Sequence, residues 1–598
     1  MSTRTHRIML LFLGLAAIGP HAPAAETRKA ELRRPPNVVV ILTDDMGWGD
    51  LSCTGNTNLH TPNIDSIARQ GVTLDRFYVC PVCSPTRAEF LTGRYHPRGG
   101  VRNVTSGGER LDLDEQTIAD LFHQAGYATG AFGKWHNGTQ FPYHPNARGF
   151  TEYYGFTSGH WGHYFDPILE HNNQLTRGKG FIIDDLTSHA IAFIEQHRGQ
   201  PFFCYLPMNT PHSPFQVPDR FYDKFKDAEI KLRHRDPNKE SLEKTRCVLA
   251  MNENIDWNVG RILQCLDRLE IADHTIVVFF SDNGPNSWRY NGGMKGRKGS
   301  VDEGGVRVPC FIRWPGSLPA GRKTDRIAAA IDLLPTLTSL AGIPCNTRKP
   351  LDGCDLTALL EDKPVPDSLQ RRRIFSHWRG RVSVRTQRYR LDPRGALFDM
   401  VEDPGQTTDV ASRFPKIAQA LRREVARWKQ EVLSEMMPED SRPFPIGAGH
   451  RLTWLPARDG RPHGNVRRSA RAPNCSYFTN WRSTDDRITW DVEVMKAGRY
   501  RPVLYYTCAP ENVGCRIELS VGDVAAQVTV RKAHEPPLVG AEADRAARGG
   551  ESLVKDFRPL EMPEMELSQG RATLTLRAVQ IPGPSAIDVR WVLMERIE

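Results

Sequence analysis

The chain has 598 residues and a formal charge of +9, with 39% hydrophobic and 25% charged residues. That length exceeds one ordinary domain, and the composition excludes a disordered or fibrous chain. Basic residues are scattered, densest at Arg371–Arg373 and Arg381–Arg390, and no reading motif accompanies them; this excludes a nucleic-acid module, while the positive balance suits an anionic substrate.

In chain order, Arg4, His6 and Arg7 precede the apolar run Ile8–Ile18 and the small residues of HAPAAE, which predicts an export signal over residues 1–25. The run is too short to span a bilayer, and no later stretch is long and apolar enough. An exported protein follows, periplasmic or secreted, with no stable membrane insertion. Twelve cysteines in such a protein invite disulfides. Cys345 with Cys354, and Cys508 with Cys515, flank short loops and are spaced for hairpin-sized bridges. Cys204 and Cys310 sit in apolar runs and read as buried thiols. CPVC, from Cys80 to Cys83, has no zinc-type partner elsewhere.

Residues 36–370 alternate strand and helix. NVVVIL, YATGAFG, PFFCYLPM and TIVVFFSD read as buried strands. Between the last two, Val248, Met251, Ile255, Val259, Ile262, Leu266 and Leu269 recur at helical spacing. The fold class is α/β: a mainly parallel sheet sandwiched by helices. Over 371–437, IFSHW, VSVRTQRYRL and ALFDM predict a small antiparallel subdomain closed by a helix. Residues 438–474, rich in proline, glycine and arginine, read as a linker or surface wrap. From 475 to 598 the periodicity is two, which predicts an appended β-sandwich.

Four strand ends finish in charged or metal-capable residues: Asp44 and Asp45, Lys134 and His136, His212, and Asp282 with Asn283. In open α/β sheets ligands gather at such ends. Three carboxylates and an amide oxygen suit Ca²⁺ or Mg²⁺, and Ca²⁺ better, because it accepts flexible carboxylate geometry. In PVCSPTRAEFLTGRYH, Ser84 and Pro85 form a helix start and Gly93 a stop, which puts Cys83 and Arg87 at a helix N-terminus that favours an anion. With Lys298 from GRKGSVDEGG, the set suits a tetrahedral oxyanion, phosphate or sulfate.

These residues stand in motifs. The signal Cys83-Ser84-Pro85-Thr86-Arg87 followed by LTGRY, together with TDD, GKWH, TPHSPF, SDNG and KGSVDEGG in that order, resembles the formylglycine-dependent (type I) sulfatases of the alkaline phosphatase superfamily over about two-thirds of the chain. The resemblance implies an arylsulfatase-like sulfuric ester hydrolase with an alkaline-phosphatase-like fold. It also implies that a formylglycine-generating enzyme oxidises Cys83 to formylglycine, whose hydrate is the nucleophile. Asp44, Asp45, Asp282 and Asn283, with the modified Cys83, then look like the Ca²⁺ ligands. Arg87 holds the modified residue, Lys134 and Lys298 bind sulfate, His212 is similar to the general acid and His136 to the base that acts as sulfate leaves. Lys295 competes for the Lys298 role outside the KGxxxEGG frame. Asn137 departs from the family, which commonly has an apolar residue there, and is expected to affect the pocket wall. The implied substrate is a sulfated carbohydrate or an aryl sulfate. His160, Trp161 and His163 in one loop, and His377 and Trp378 in the antiparallel subdomain, are the candidates for substrate contact. A phosphonate or phosphodiester hydrolase of the same superfamily is the alternative, separable by its activity ratio on aryl phosphate and sulfate esters.

Overall fold

The computed structural model describes residues 34–437 and 439–597, and the export signal expected over residues 1–25 lies outside them. The apolar run NVVVILT folds as strand β1 (Asn37–Thr43), buried at every position. Its side chains alternate between two cores, Val39 and Ile41 on one face, Val38, Val40 and Leu42 on the other. The same sheet holds β2 (Val72–Tyr78), β3 (Ala128–Lys134), β4 (Glu152–Phe156), β5 (Ile168–His171), β6 (Gln174–Arg177), β7 (Phe202–Pro207), β8 (Thr275–Ser281), β9 (Arg307–Val308), β10 (Cys310–Arg313) and β11 (Arg322–Ala329). Their order is β11-β2-β10-β8-β1-β7-β3-β4-β5-β6, with β9 on β2.

Strands β8, β1, β7, β3 and β4 run parallel. β10 runs against both β2 and β8, and the β5–β6 hairpin closes one edge antiparallel, so the sheet is mixed around a parallel middle. The helices Ile182–His197 and Leu242–Arg268 cover one face. The helices Cys83–Thr92, Ile118–Gln124 and Leu333–Leu340 cover the other. Because the middle strands point the same way, their carboxyl ends open along one edge, with Thr43 opposite Ser281 in the register.

A four-stranded antiparallel sheet follows, Ile374–Trp378, Arg381–Arg385, Tyr389–Leu391 and Leu397–Asp399, packed under the helix Pro415–Val432. Glu303 ties it to the main body. Its Oε2 accepts from Arg390 Nη2 at 2.8 Å and its Oε1 from the Tyr78 hydroxyl at 2.8 Å. Burial alone would raise the Glu303 pKa, yet Arg390, Arg385 and Arg307 outweigh it and hold the carboxyl below its ordinary value. Glu303→Gln is expected to cost about 3 kcal/mol, because it leaves buried arginines without their counter-charge. Urea unfolding measures this, and a loss below about 0.5 kcal/mol would be the figure for an ordinary surface site.

Two further sheets, of six and seven strands, face each other. Ile488, Trp490, Leu519 and Leu576 of one meet Leu504, Tyr506, Val592 and Met594 of the other in a common core. The stretch read as a linker, 438–474, supplies Phe444–Ile446, Leu452–Pro456, Arg461–His463 and Arg467–Arg468 to these sheets. None of these runs exceeds five residues, too short for alternation to register against the prolines and glycines around them. From Pro36 onward the chain is one unit. The sandwich is bound to the α/β body by Arg110 Nη1 to Pro443 O (2.7 Å), Gln140 Nε2 to Trp454 O (2.9 Å) and Gln216 Nε2 to Gly540 O (2.7 Å).

All twelve cysteines are free. The bridges expected for Cys345–Cys354 and Cys508–Cys515 are absent, because loop spacing alone does not bring two Cβ atoms into bridging geometry. Cys354 Sγ instead meets Arg372 Nη1, and Cys508 and Cys515 pack in the sandwich core. Among the described residues no helix is long and apolar enough to cross a membrane.

Candidate active site

The helix Cys83–Thr92 starts at Cys83 itself, after an extended Val82, and no side chain caps it. Ser84 is therefore inside the helix and not its cap. Gly93 ends it at φ 67°, as the sequence predicts. All ten helical residues are buried, which fixes Cys83 where the free N–H groups of the first turn point. Thr86 Oγ1 donates to Asp282 O at 2.5 Å and so locks the helix to the end of β8. Asn137, also buried, donates from Nδ2 to Ser84 O at 3.3 Å; it lies against the first turn of the helix and holds it.

The strand ends converge on Cys83. Ligand-type atoms of Asp44, Cys83 and Asp282 lie within 4.8 Å of one another, as do those of Asp44, Asp45 and His212. Lys134 Nζ is 2.6 Å from Asp44 Oδ2, Lys298 Nζ 2.6 Å from Asp45 Oδ1, and Arg87 Nη2 2.8 Å from Asp282 Oδ2. Arg87 Nη1 also donates to Lys134 O at 2.7 Å. Asn283 Nδ2 donates to Asp45 Oδ1 at 2.7 Å. Asp45 has φ 71°, a left-handed conformation held by Arg289, whose Nη2 donates to Asp45 O at 2.8 Å. Arg289 is itself clamped by Asp50 at 2.6 Å. Lys295 pairs with Asp302 at 3.3 Å and Asp392 at 3.8 Å, so Lys298, not Lys295, is the lysine beside Asp45.

Charge is concentrated and dry here. Burial, then the Asp44 carboxylate, push the Asp282 carboxyl up. For Asp45 burial also raises the pKa, but Lys298 and His212 outweigh it and hold the group well below the carboxylate range. Burial pushes the Cys83 thiol up against the pull of Lys134 and Lys298, so an unmodified Cys83 is not a thiolate. Asp44 Oδ1, Asp45 Oδ2 and Asn283 Oδ1 are buried with no hydrogen-bond partner.

The two histidines differ in presentation. His212 Nδ1 lies 2.6 Å from Ser213 O, a carbonyl that can only accept, so Nδ1 carries a proton and Nε2 faces Asp45 Oδ2 at 3.7 Å. His136 makes the opposite choice: Nε2 donates to Val104 O at 2.8 Å, and Nδ1 is buried and unpartnered, a free lone pair. Burial, then Lys134, depress the His136 pKa well below its ordinary value. Burial, then Lys298, lower His212 to about 4.

The candidates for substrate contact divide. His160 stacks on His212 with ring centroids 5.8 Å apart and stands at the site. Trp378 packs on Val82, next to Cys83, and forms part of the wall. His377 does not reach the site: it is buried, its Nδ1 is 3.2 Å from His96 Nε2, and its Nε2 accepts from Gly380 N at 3.1 Å. Trp161 stacks on Phe156 at 5.1 Å within the core, and half-buried His163 lies under the charges of Glu542, Arg548 and Asp544 of the sandwich module.

Sequence reading missed what the sandwich module brings. Glu551 bonds the Ser213 hydroxyl, and its carboxyl is depressed to about 2: burial opposes this, His212 and His160 drive it. Asn474 Nδ2 lies 3.3 Å from His160 Nδ1, and Arg458 pairs with Glu109 at 3.2 Å. No local motif marks these residues; only the docking of the sandwich reveals them.

Three carboxylates, an arginine and two lysines at one sheet edge, beside a helix N-terminus, define an alkaline-phosphatase-like enzyme fold. Residues 36–343 match the family model Sulfatase. The chain is 33% identical to the N-acetylgalactosamine-6-sulfatase of Mus musculus over 382 residues, 58% of this chain and 69% of that protein. It is 31% identical to the steryl-sulfatase of Mus musculus over 426 residues, 55% of this chain and 65% of that protein. Among solved structures, Ps i-CgsB in complex with k-i-k-neocarrahexaose superposes with a TM-score of 0.61 at 29% identity, covering 68% of this chain and 96% of that one. The chain belongs to the formylglycine-dependent sulfatase family. It is a sulfuric ester hydrolase.

Proposed function

We propose that this sulfatase removes sulfate esters from sulfated carbohydrate, using Cys83 as formylglycine and a calcium ion held by Asp44, Asp45, Asp282, Asn283 and the modified Cys83. The observation that carries it is the set of unpartnered buried oxygens, Asp44 Oδ1, Asp45 Oδ2 and Asn283 Oδ1, beside Cys83. Buried polar atoms ordinarily find partners, and hard oxygens converging in this way fit Ca²⁺. The carbohydrate reading is supported by the N-acetylgalactosamine-6-sulfatase relatives and by the oligosaccharide complex of Ps i-CgsB. The phosphonate monoester hydrolase of Agrobacterium radiobacter, 21% identical with a TM-score of 0.51, shares the fold alone.

When in place, the calcium and the oxidised Cys83 supply a nucleophilic oxygen and polarise the sulfate. The chain's own groups do the rest. Lys134 and Lys298 turn from Asp44 and Asp45 to the sulfate oxygens, and Arg87, fixed by Asp282 and Lys134 O, orients residue 83. His212 Nε2 gives a proton to the departing alcohol oxygen; the free Nδ1 of His136 takes one as sulfate is released. Cys83 is 4% exposed in a fully buried helix, so a formylglycine-generating enzyme must reach it before the fold closes. Export to the periplasm or beyond accords with the basic and apolar N-terminal run.

Chelation tests the metal. Treatment with EDTA is expected to remove at least ~90% of the activity, and Ca²⁺ but not Zn²⁺ to restore it, given oxygen donors only. The melting temperature should fall as well, because Asp44, Asp45 and Asp282 then face one another with less compensation. Asp45→Ala should be inactive at any Ca²⁺ concentration. Full activity after exhaustive chelation would rule the calcium role out.

A further inference from the structure

The two densest basic runs of the sequence are neutralised in the fold. Arg371 pairs with Asp367, Arg372 with Asp332 and Arg373 with Glu424, while Arg388 pairs with Asp399 and Arg390 with Glu303. Uncompensated positive charge lies elsewhere, on the sandwich module. Residues 461–487 hold six arginines and two aspartates, with no lysine or glutamate, a net +4 (six minus two) of the chain's +9. Five of these arginines, Arg461, Arg467, Arg471, Arg482 and Arg487, are exposed. Among the described residues, none of the five has a carboxylate within the 4.0 Å of an ion pair, and none donates a hydrogen bond from its side chain. The two aspartates do not offset them. Asp486 is buried and accepts from the backbone N–H groups of Asn465 (2.7 Å), Arg482 (3.0 Å) and Ser483 (2.9 Å). Asp485 is exposed and pairs with none of the five.

These residues form one strip. His463 stands opposite Arg487 in the strand register, and Arg461 opposite Thr489. Burial, then Arg487 and Arg461, lower the His463 pKa, so both guanidinium charges act on this ring. Arg487 also stands opposite Arg577, whose own counter-charge is Glu518 at 2.6 Å. Like charges facing each other across strands cost stability, so this edge is not arranged for the fold alone. The chain then crosses to the other sheet, where Arg467 stands opposite Thr479. From there it runs to the catalytic site: Arg471 lies beside Gly550, Ala472 N donates to Gly550 O at 3.0 Å, and Asn474 Nδ2 is 3.3 Å from His160. Glu551, next to Gly550, bonds Ser213 beside His212. One end of the strip is therefore at the wall of the catalytic site, and its arginines stand on open surface.

We propose that this strip is a docking surface for a sulfated polysaccharide, which lies along Arg471, Arg467, Arg461 and Arg487 while one of its units occupies the catalytic site. The inference rests on the sulfated-carbohydrate reading and adds that the substrate is held as a polymer. A planar guanidinium matches an oxyanion with two parallel N–H groups, and a polyanion presents such groups repeatedly. Each exposed contact is weak and screened by salt, but contacts to one chain reinforce one another.

Binding to the inactive Cys83→Ala protein tests the strip apart from catalysis. Chondroitin 6-sulfate and ι-carrageenan serve as probes, and at least one should bind, while its desulfated form should not. Adding Arg461→Glu, Arg467→Glu and Arg487→Glu together should weaken that binding at least ~10-fold at about 50 mM salt and flatten its salt dependence. None of the three touches the catalytic groups, so affinity for a sulfated disaccharide should stay within about twofold. In the Cys83 protein the same triple should raise KM on the polymer, leave kcat there unchanged, and leave 4-nitrophenyl sulfate turnover unchanged. All three positions are exposed, so the variant is expected to fold; should it not, the glutamine triple must show a loss of at least ~3-fold. A polymer held equally by parent and triple overturns the strip, and so does a parent that binds neither probe. Double-stranded DNA bound more tightly than either sulfated polymer also overturns it, since the surface then reads nucleic acid. Hydrolysis of aryl sulfate but of no sulfated saccharide would instead overturn the substrate reading beneath it.

Discussion

Cys83→Ala is expected to abolish sulfate ester hydrolysis, with kcat down at least ~10,000-fold, while the protein stays folded. The asymmetry follows from the surroundings of Cys83. It opens a helix whose ten residues are all buried and whose position is set by Thr86 on Asp282 O and Asn137 on Ser84 O, and neither contact involves the thiol. Truncation removes one sulfur from a packed site, a cost of about 1 kcal/mol. Circular dichroism and the melting temperature should therefore stay close to those of the parent. Peptide mass spectrometry of active protein should show the mass of an aldehyde, not a thiol, at residue 83. Fully active protein that carries only the thiol would overturn the nucleophile assignment, and the buried, proton-retaining state of Cys83 makes that outcome hard to reconcile with thiolate chemistry. Cys83→Ser should be equally inactive unless the host oxidises serine.

The parallel middle of the sheet was legible because strands buried on both faces leave an unbroken apolar run, and each run here ends in the residues that meet at the site. Asp44 and Asp45 leave β1, Asp282 leaves β8 and Lys134 ends β3, so local sequence and sheet direction together suffice to gather them. Lys298 against Lys295 was settled by a motif frame, and the structure separates them by their carboxylate partners, Asp45 for one and Asp302 for the other. What failed had no local signature. His377 sits in a strand that packs on the body, where it spends both ring nitrogens on neighbours, and nothing in SHWRG distinguishes that from a pocket residue. Glu551 and Asn474 reach His212 and His160 from the sandwich, through a docking geometry fixed by contacts hundreds of residues apart in sequence.

His212 and His136 are expected to separate when each is replaced by alanine and assayed on two substrates. A general acid matters most for a poor leaving group, because a sugar alkoxide needs a proton far more than a nitrophenolate does. His212→Ala should therefore lose about 100- to 10,000-fold on a sulfated sugar and about tenfold or less on 4-nitrophenyl sulfate. Its geometry suits that role: Nδ1 keeps its proton on Ser213 O, which leaves Nε2 as the face that takes up a second proton and passes it to the leaving group. At rest, burial and then Lys298 depress the ring to about 4. Lys298 is the side chain proposed to turn onto the sulfate, so substrate binding cancels that influence and leaves the carboxylates of Asp45 and Glu551 to favour the imidazolium. His136 acts after the alcohol has gone. With Nε2 committed to Val104 O, its bare Nδ1 can only accept, and replacement should slow sulfate release equally for both substrates. Rapid-mixing measurements on His136→Ala should then show a burst of alcohol, one equivalent per site, followed by a slow steady state. If His212→Ala lowers both substrates by one factor, it binds sulfate and does not protonate the leaving group. If His136→Ala shows no burst, its lone pair is not used after the alcohol departs.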